Sequence, residues 1–443
     1  MVQCRHFARL YPYLAATFLG LTGTLSAQDE TLSEINRDIA ELLQQDNLHI
    51  RGVEILTQGV MREVYRDHDF APYWTKPGRI RELMGLIENA EEHGLVPTDY
   101  NVALLYELMA RIGTSPTAQL VAEEDILLTE SLLRYGYHRR FGKVKANKLD
   151  PDINYRRETF QSQSPTMTVE EALESSSLAA FIQMAAPSGP VYEHLQAVLS
   201  AYRAMAKNGG WPEVPAGPTV RKGDRDSRVA AIRARLSATG ELSQSSEGDP
   251  EYFDGTLEMA VKNFQTGHAL EDDGVVGKNT ILAMNVPVDF RIDQLRLSLE
   301  RLRWVNQEAA DTLVAVNIAG FRAFFYEEGE LKWSTRAMVG KHYRKTPVFR
   351  GDIAYLEFNP PWTIPPGILR NDTLPAIKKD PGYLNSKNIR VIDQSGKIID
   401  PSTVDWNQYS RGVPYTLRQD PGPWNSLGTV KFIFPNEHFV FLH

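Results

Sequence analysis

Cysteine is almost missing from this chain: 443 residues contain one, Cys4. Disulfides therefore cannot hold the fold together, and cysteine usage neither requires nor excludes an exported compartment. A basic excess is missing too, because 48 Lys and Arg stand against 56 Asp and Glu, a formal net charge of -8. That balance argues against a nucleic-acid partner, which would favour a basic face. No His-Glu-x-x-His run offers paired metal ligands, and His438 and His443, five apart on extended chain, project to opposite faces, which disfavours a zinc hydrolase. No Gly-x-Ser-x-Gly turn presents a serine nucleophile.

What is present reads as globular. With 42% apolar and 23% charged residues, the chain is long enough for two to four domains with real cores. Its first 28 residues contain no acid; Arg5 and Arg9 precede an apolar run, Leu10–Leu25, that ends in Leu25-Ser26-Ala27. A basic start, a short apolar centre and small closing residues predict a signal peptide over 1–27, cleaved after Ala27. The competing reading is an uncleaved anchor, which Thr17, Gly20, Thr22, Gly23 and Thr24 disfavour by interrupting the run. Without 1–27 the chain has no cysteine.

From 28 to 210 the pattern is mostly helical. Leu32, Ile35, Ile39, Leu42 and Leu43 recur at helical spacing, and Ile80, Leu83, Met84, Ile87 and Ala90 do so again before Gly94. Further helices are predicted through Val102–Leu108, Ala118–Leu133 and Tyr192–Met205, with no catalytic constellation among them. Asn208-Gly209-Gly210-Trp211-Pro212 through Pro218 marks a boundary. Beyond it, Asp226 is expected to cap a helix bearing Val229, Ile232 and Leu236, and a second helix carries Leu257, Ala260, Val261 and Phe264 on one stripe. Gln265-x-x-His268-x-Leu270-x-x-Asp273-Gly274-x-x-Gly277-x-x-Thr280 follows, its glycines suited to positive φ in a tight loop. Asp273 and its acidic neighbours lack the alternating ligands and closing glutamate of a calcium loop. Residues 288–310 read as a connecting helix, and from 311 the text switches to strands at Leu313–Ala319, Phe321–Tyr326, Leu331–Ser334 and Arg336–Val339.

The chemistry is expected in that last part. Asn359-Pro-Pro-Trp362-Thr-Ile-Pro365 forces extended backbone, and Trp362 either offers a flat surface to substrate or fills the core. Residues 367–417 read as an insertion, either a cap over the site or a solvated elaboration. Gln419-Asp420-Pro421-Gly422-Pro423-Trp424-Asn425-Ser426-Leu427-Gly428 precedes an alternation, Val430 to Phe434, then Pro435–His438, then Phe439 to His443, which predicts a β-hairpin. His443 then shares a face with Phe439 and Phe441, where an imidazole suits the activation of a thiol; a structural histidine is the bland alternative. Lys431, opposite Phe432, either meets a substrate carboxylate or points into water.

Gly428-x-x-Lys431-Phe432-x-Phe434-Pro435-Asn436 running into Phe441-Leu442-His443, with the Gln419–Gly428 segment, resembles the L,D-transpeptidase catalytic domain of the long Gram-negative type. Asp69–Trp74 with His93–Tyr100 resembles that type's scaffold domain, and 211–287 its peptidoglycan-binding domain type 1. The resemblance implies a multidomain α+β protein: a helical scaffold, a three-helix binding module and a β-rich catalytic domain over 311–443, incomplete at its C-terminal end. It implies His443 as base, substrate-binding positions at Trp362, Asn425, Gly428 and Lys431, no metal or organic cofactor, and a periplasmic role in cell-wall remodelling with peptidoglycan tetrapeptide stems as partner. Relatives carry a cysteine shortly after this histidine, and 28–443 holds none. Two readings stay open: an L,D-transpeptidase recorded without its last segment, or a non-catalytic peptidoglycan-binding scaffold.

Overall fold

The computed structural model describes residues 25–149, 165–187, 189–243, 249–305, 312–341, 345–438 and 440–443. They fall into two compact units, one of the described residues up to Val339 and the other of those from Gly340 onward. The sequence switches to strands near 311, but the compact boundary lies at 339/340, and the first sheet clusters with the preceding helices.

In the first unit, the helices Leu25–Gln44, Gln58–Asp67, Pro77–Glu88, Val102–Thr114 and Ala118–Phe141 surround one apolar core, with a two-strand ribbon, β1 (His49–Ile50) and β2 (Val53–Glu54). Most of the expected signal segment lies outside the described residues, and Leu25 to Ala27 stand at the start of the first of these helices. The stripe read from sequence is buried: Ile39, Leu83 and Ile87 are fully inaccessible. Gly94 ends a short 3-10 turn rather than the long helix, and its φ of +72° is one glycine adopts readily. The aromatic segment 69–74 is fixed from the central helix. Asp125 Oδ1 accepts from Tyr65 Oη at 2.6 Å, its Oδ2 from the Trp74 amide at 2.8 Å, and Trp74 Nε1 donates to Thr129 Oγ1 at 2.9 Å. Buried polar groups are affordable only when so paired.

Helices Val229–Ala238, Gly255–Gly267 and Lys278–Met284 build the small module on a second core of Val229, Ile232, Leu257, Val261, Phe264 and Met284. Truncating Phe264 there costs about 3–5 kcal/mol on the usual scale for core aromatics. Gln265 explains the spacing of the signature. Its Nε2 donates to Asp273 Oδ1 at 2.9 Å, Val275 O at 3.0 Å and Thr280 Oγ1 at 3.3 Å, while its Oε1 accepts from the Gly274 amide. Two expectations fail here. Asp226 does not cap the first helix, which starts at Val229, because its Oδ1 is engaged by the backbone N and Nε of Arg228. Gly277 takes φ −98° as the residue before its helix, so only Gly274, at φ +75°, needs the left-handed region.

Helix Val288–Val305 forms the described part of the predicted connector, whose residues 306–310 lie outside the described residues, and packs Leu299 against Tyr192 and Leu199 of helix Pro190–Lys207. Glu300 Oε1 accepts from the Val144 amide at 2.8 Å, and Arg303 donates to Tyr192 Oη at 2.9 Å and to the carbonyl of His93. The strands β3 (Leu313–Asn317), β4 (Arg322–Glu327) and β5 (Glu330–Arg336) form an antiparallel meander. A separate strand over Arg336–Val339 does not form, since β5 runs unbroken through Arg336.

Among the described residues the second unit holds two sheets. β6 (Tyr355–Phe358) pairs with β11 (Val430–Ile433), and β7 (Trp362–Thr363), β8 (Ile389–Ile392), β9 (Ile398–Ile399) and β10 (Thr416–Gln419) lie in the order β7-β10-β8-β9. Within the expected insertion, Leu369, Leu374, Ile377, Leu384, Val391, Trp406 and Leu417 belong to one apolar core. No described helix is long and apolar enough to cross a membrane.

Candidate active site

The candidate residues are placed by two segments that the sequence separates by sixty positions. Asn425 is 6% exposed, and its Nδ2 donates to Pro360 O at 3.0 Å and Asp420 O at 2.9 Å, while its Oδ1 accepts from Leu427 N at 2.8 Å. Its amide is therefore spent on backbone, holding the segment 359–362 beside the loop 420–428. Gly428 closes that loop by donating to Asn425 O at 2.9 Å with φ +66°, where an L side chain is strained. Both residues act on the path into β11.

Trp362 pairs across the sheet with Gln419 and, half-buried, packs against the core of the second sheet. Gln419, not singled out by sequence, is the second organiser. Its Nε2 donates to Lys387 O at 2.7 Å and its Oε1 accepts from the Ser426 amide at 2.8 Å. The signal was in view: two amides bracketing a Pro-Gly pair, each able to satisfy several loop groups.

The hairpin forms in shortened shape. Leu442 bridges Phe432 antiparallel, and Asn436 closes the turn, its Nδ2 donating to Phe434 O and Val440 O at 2.8 Å each and its Oδ1 accepting from His438 N and Val440 N at 3.1 Å each. The predicted companion Phe439 lies outside the described residues. The bridge register sets Lys431 opposite His443, both on the face away from Phe432 and Leu442. Lys431 Nζ stands 3.9 Å from the centre of the Phe441 ring, a cation–π contact. Partial burial first, and the Lys431 ammonium second, hold the His443 imidazole below its ordinary pKa, although the residue as a whole is exposed. A neutral imidazole is the form that accepts a proton. Lys431 and His443 are thus brought together; Asn425 and Gly428 lie in the loop leading into β11, and Trp362 belongs to the other sheet.

Comparison with known proteins matches three stretches of the chain to family models. Residues 311–443 match the model of the L,D-transpeptidase catalytic domain, 59–199 that of the scaffold domain, and 225–284 that of the "Putative peptidoglycan binding domain". The chain carries the L,D-transpeptidase catalytic domain. A "Putative L,D-transpeptidase" of Haemophilus influenzae is 34% identical over 130 residues, covering 29% of this chain and 26% of that protein. The N-acetylmuramoyl-L-alanine amidase CwlM of Mycobacterium tuberculosis is 39% identical over 75 residues, 15% of this chain and 18% of its own. The chain thus spans about a quarter or less of the curated relatives it matches. Together the L,D-transpeptidase, scaffold and binding domains make a multidomain α+β protein whose mostly helical N-terminal region precedes a β-rich domain.

Proposed function

We propose that this protein is a periplasmic L,D-transpeptidase that remodels peptidoglycan, exported by residues 1–27 and held on the wall by the module of 211–287. His443 acts as general base. Its neutral imidazole takes the proton of a cysteine thiol, and the thiolate attacks the carbonyl between the third residue of a tetrapeptide stem and its terminal D-alanine. The C–N bond breaks, the imidazolium protonates the departing amine, and an acyl thioester remains. An amine of a neighbouring stem then attacks the thioester, His443 takes the amine's proton, and a 3-3 crosslink forms as the C–S bond breaks and the thiolate leaves. The catalytic cysteine is missing from residues 28–443, and no metal or organic cofactor enters.

The observation that carries this reading is the placement of His443 opposite Lys431 on one strand face of the domain matched over 311–443. Muropeptide profiles of cells with and without the gene test it: loss of 3-3 crosslinks on deletion supports it, and an unchanged profile defeats it. The second reading, a non-catalytic peptidoglycan-binding scaffold, is favoured by one observation, the lack of any cysteine in 28–443. For the 443-residue polypeptide itself no crosslinking is expected, so turnover by it would overturn the role given to a missing thiol. Sedimentation with purified sacculi is expected of both readings.

A further inference from the structure

The solvent face of the sheet β7-β10-β8-β9 carries an arrangement that folding alone does not favour. Arg418 of β10 lies directly opposite Arg390 of β8 on one side and Thr363 of β7 on the other. Residues directly opposite in an antiparallel sheet point to the same face, and like charges so placed repel. Neither arginine can turn inward, because Leu417, Gln419, Ile389 and Val391, which alternate with them, are 5% exposed or less and fill the core side. Arg390 is compensated by an ion pair with Asp420. Arg418 is not: among the described residues its Nε meets the Thr363 hydroxyl alone, at 3.4 Å, and no carboxylate lies within ion-pair distance. The surroundings reinforce this. Residues 340–443 hold 13 Lys and Arg against nine Asp and Glu, in a chain whose totals are 48 and 56.

We propose that this face is a docking surface for a free carboxylate of a peptidoglycan peptide stem, with the Arg418 guanidinium as its principal contact and Arg390 flanking it. The proposal rests on the wall-directed function given above. A planar guanidinium offers two parallel N–H donors that match the two oxygens of a carboxylate, and an anion there relieves the repulsion between the arginines. Lysine would supply the charge without the fork.

The test uses the full chain and a soluble disaccharide tetrapeptide, natural or with its stem carboxylates converted to carboxamides, with binding followed by calorimetry. Arg418→Gln is expected to weaken the natural ligand about fivefold, the scale of an exposed ion pair. Amidation of the ligand should cost as much, and the two changes together no more than either alone. Arg418→Lys should recover little of the loss, while circular dichroism stays that of the parent. Equal affinity of Arg418→Gln and parent for the natural ligand overturns the proposal, as does a loss that persists on the amidated ligand or competition by inorganic phosphate at the stem's own concentration. If the parent chain binds neither muropeptide nor sacculi, the wall function fails along with it; sacculus binding that survives beside an inert Arg418 removes this surface alone.

Discussion

Lys431 stands across the strand pair from His443 and adds to burial, the larger cause, in lowering the proton affinity of its imidazole. The consequence is chemical. A cation on the same face favours the neutral ring, so His443 is ready to take a proton at neutral pH rather than already holding one. Lys431→Met should remove that repulsion while keeping the apolar contact over Phe441. The His443 pKa should then rise toward its ordinary value, read from the imidazole C–H shifts in an NMR titration. A fall, or no change, would show that burial alone sets the proton affinity.

The buried amide of Asn425 ties two distant segments together, and removing it should be felt as stability before it is felt as chemistry. Asn425→Ala leaves the carbonyls of Pro360 and Asp420 without their donor. Orphaned buried groups cost roughly 1–3 kcal/mol each set, so urea unfolding of the second unit should shift by that order. Asn425→Asp keeps the shape but puts an acceptor against two carbonyl oxygens, and is expected to be at least as harmful. An unaltered midpoint in both variants would contradict the structural role.

In the first unit, burial first and then Arg139 and Arg303 push the His93 pKa down to about 3. The folded value lies below the unfolded one, so the unfolded chain takes up the proton first. The stabilising contribution is complete above about pH 6.5 and is lost as pH falls from there toward 3, with a slope of at most about 1.4 kcal/mol per pH unit. His93→Gln, which cannot titrate, should flatten the decline between pH 7 and 5 in urea unfolding followed by far-UV circular dichroism. Parallel pH profiles for parent and variant would assign the acid sensitivity elsewhere, for instance to His138, whose pKa burial pushes down to about 4.

How much of this was legible beforehand depends on the range of the forces involved. Helical stripes such as Leu83, Met84 and Ile87 declare themselves, because burial of one face at 3.6-residue spacing is a local pattern. The Gln265–Thr280 signature was readable for a similar reason, since one side chain satisfies partners within fifteen positions. Asp226 misled because a carboxylate near a helix start has two local partners, the free amides and the neighbouring Arg228 guanidinium, and the guanidinium engages both of its oxygens.

Sequence by itself determined the order of the parts, the periodicity that makes each helix or strand, and the absence of any thiol from 28 to 443. Tertiary structure alone decided which side chains meet: that Asn425 reaches Pro360, that Arg418 faces Arg390, and that Lys431 faces His443. Spacing along a chain sets the face a residue occupies, whereas strand register, fixed by which apolar alternates can be buried together, sets the neighbour across from it.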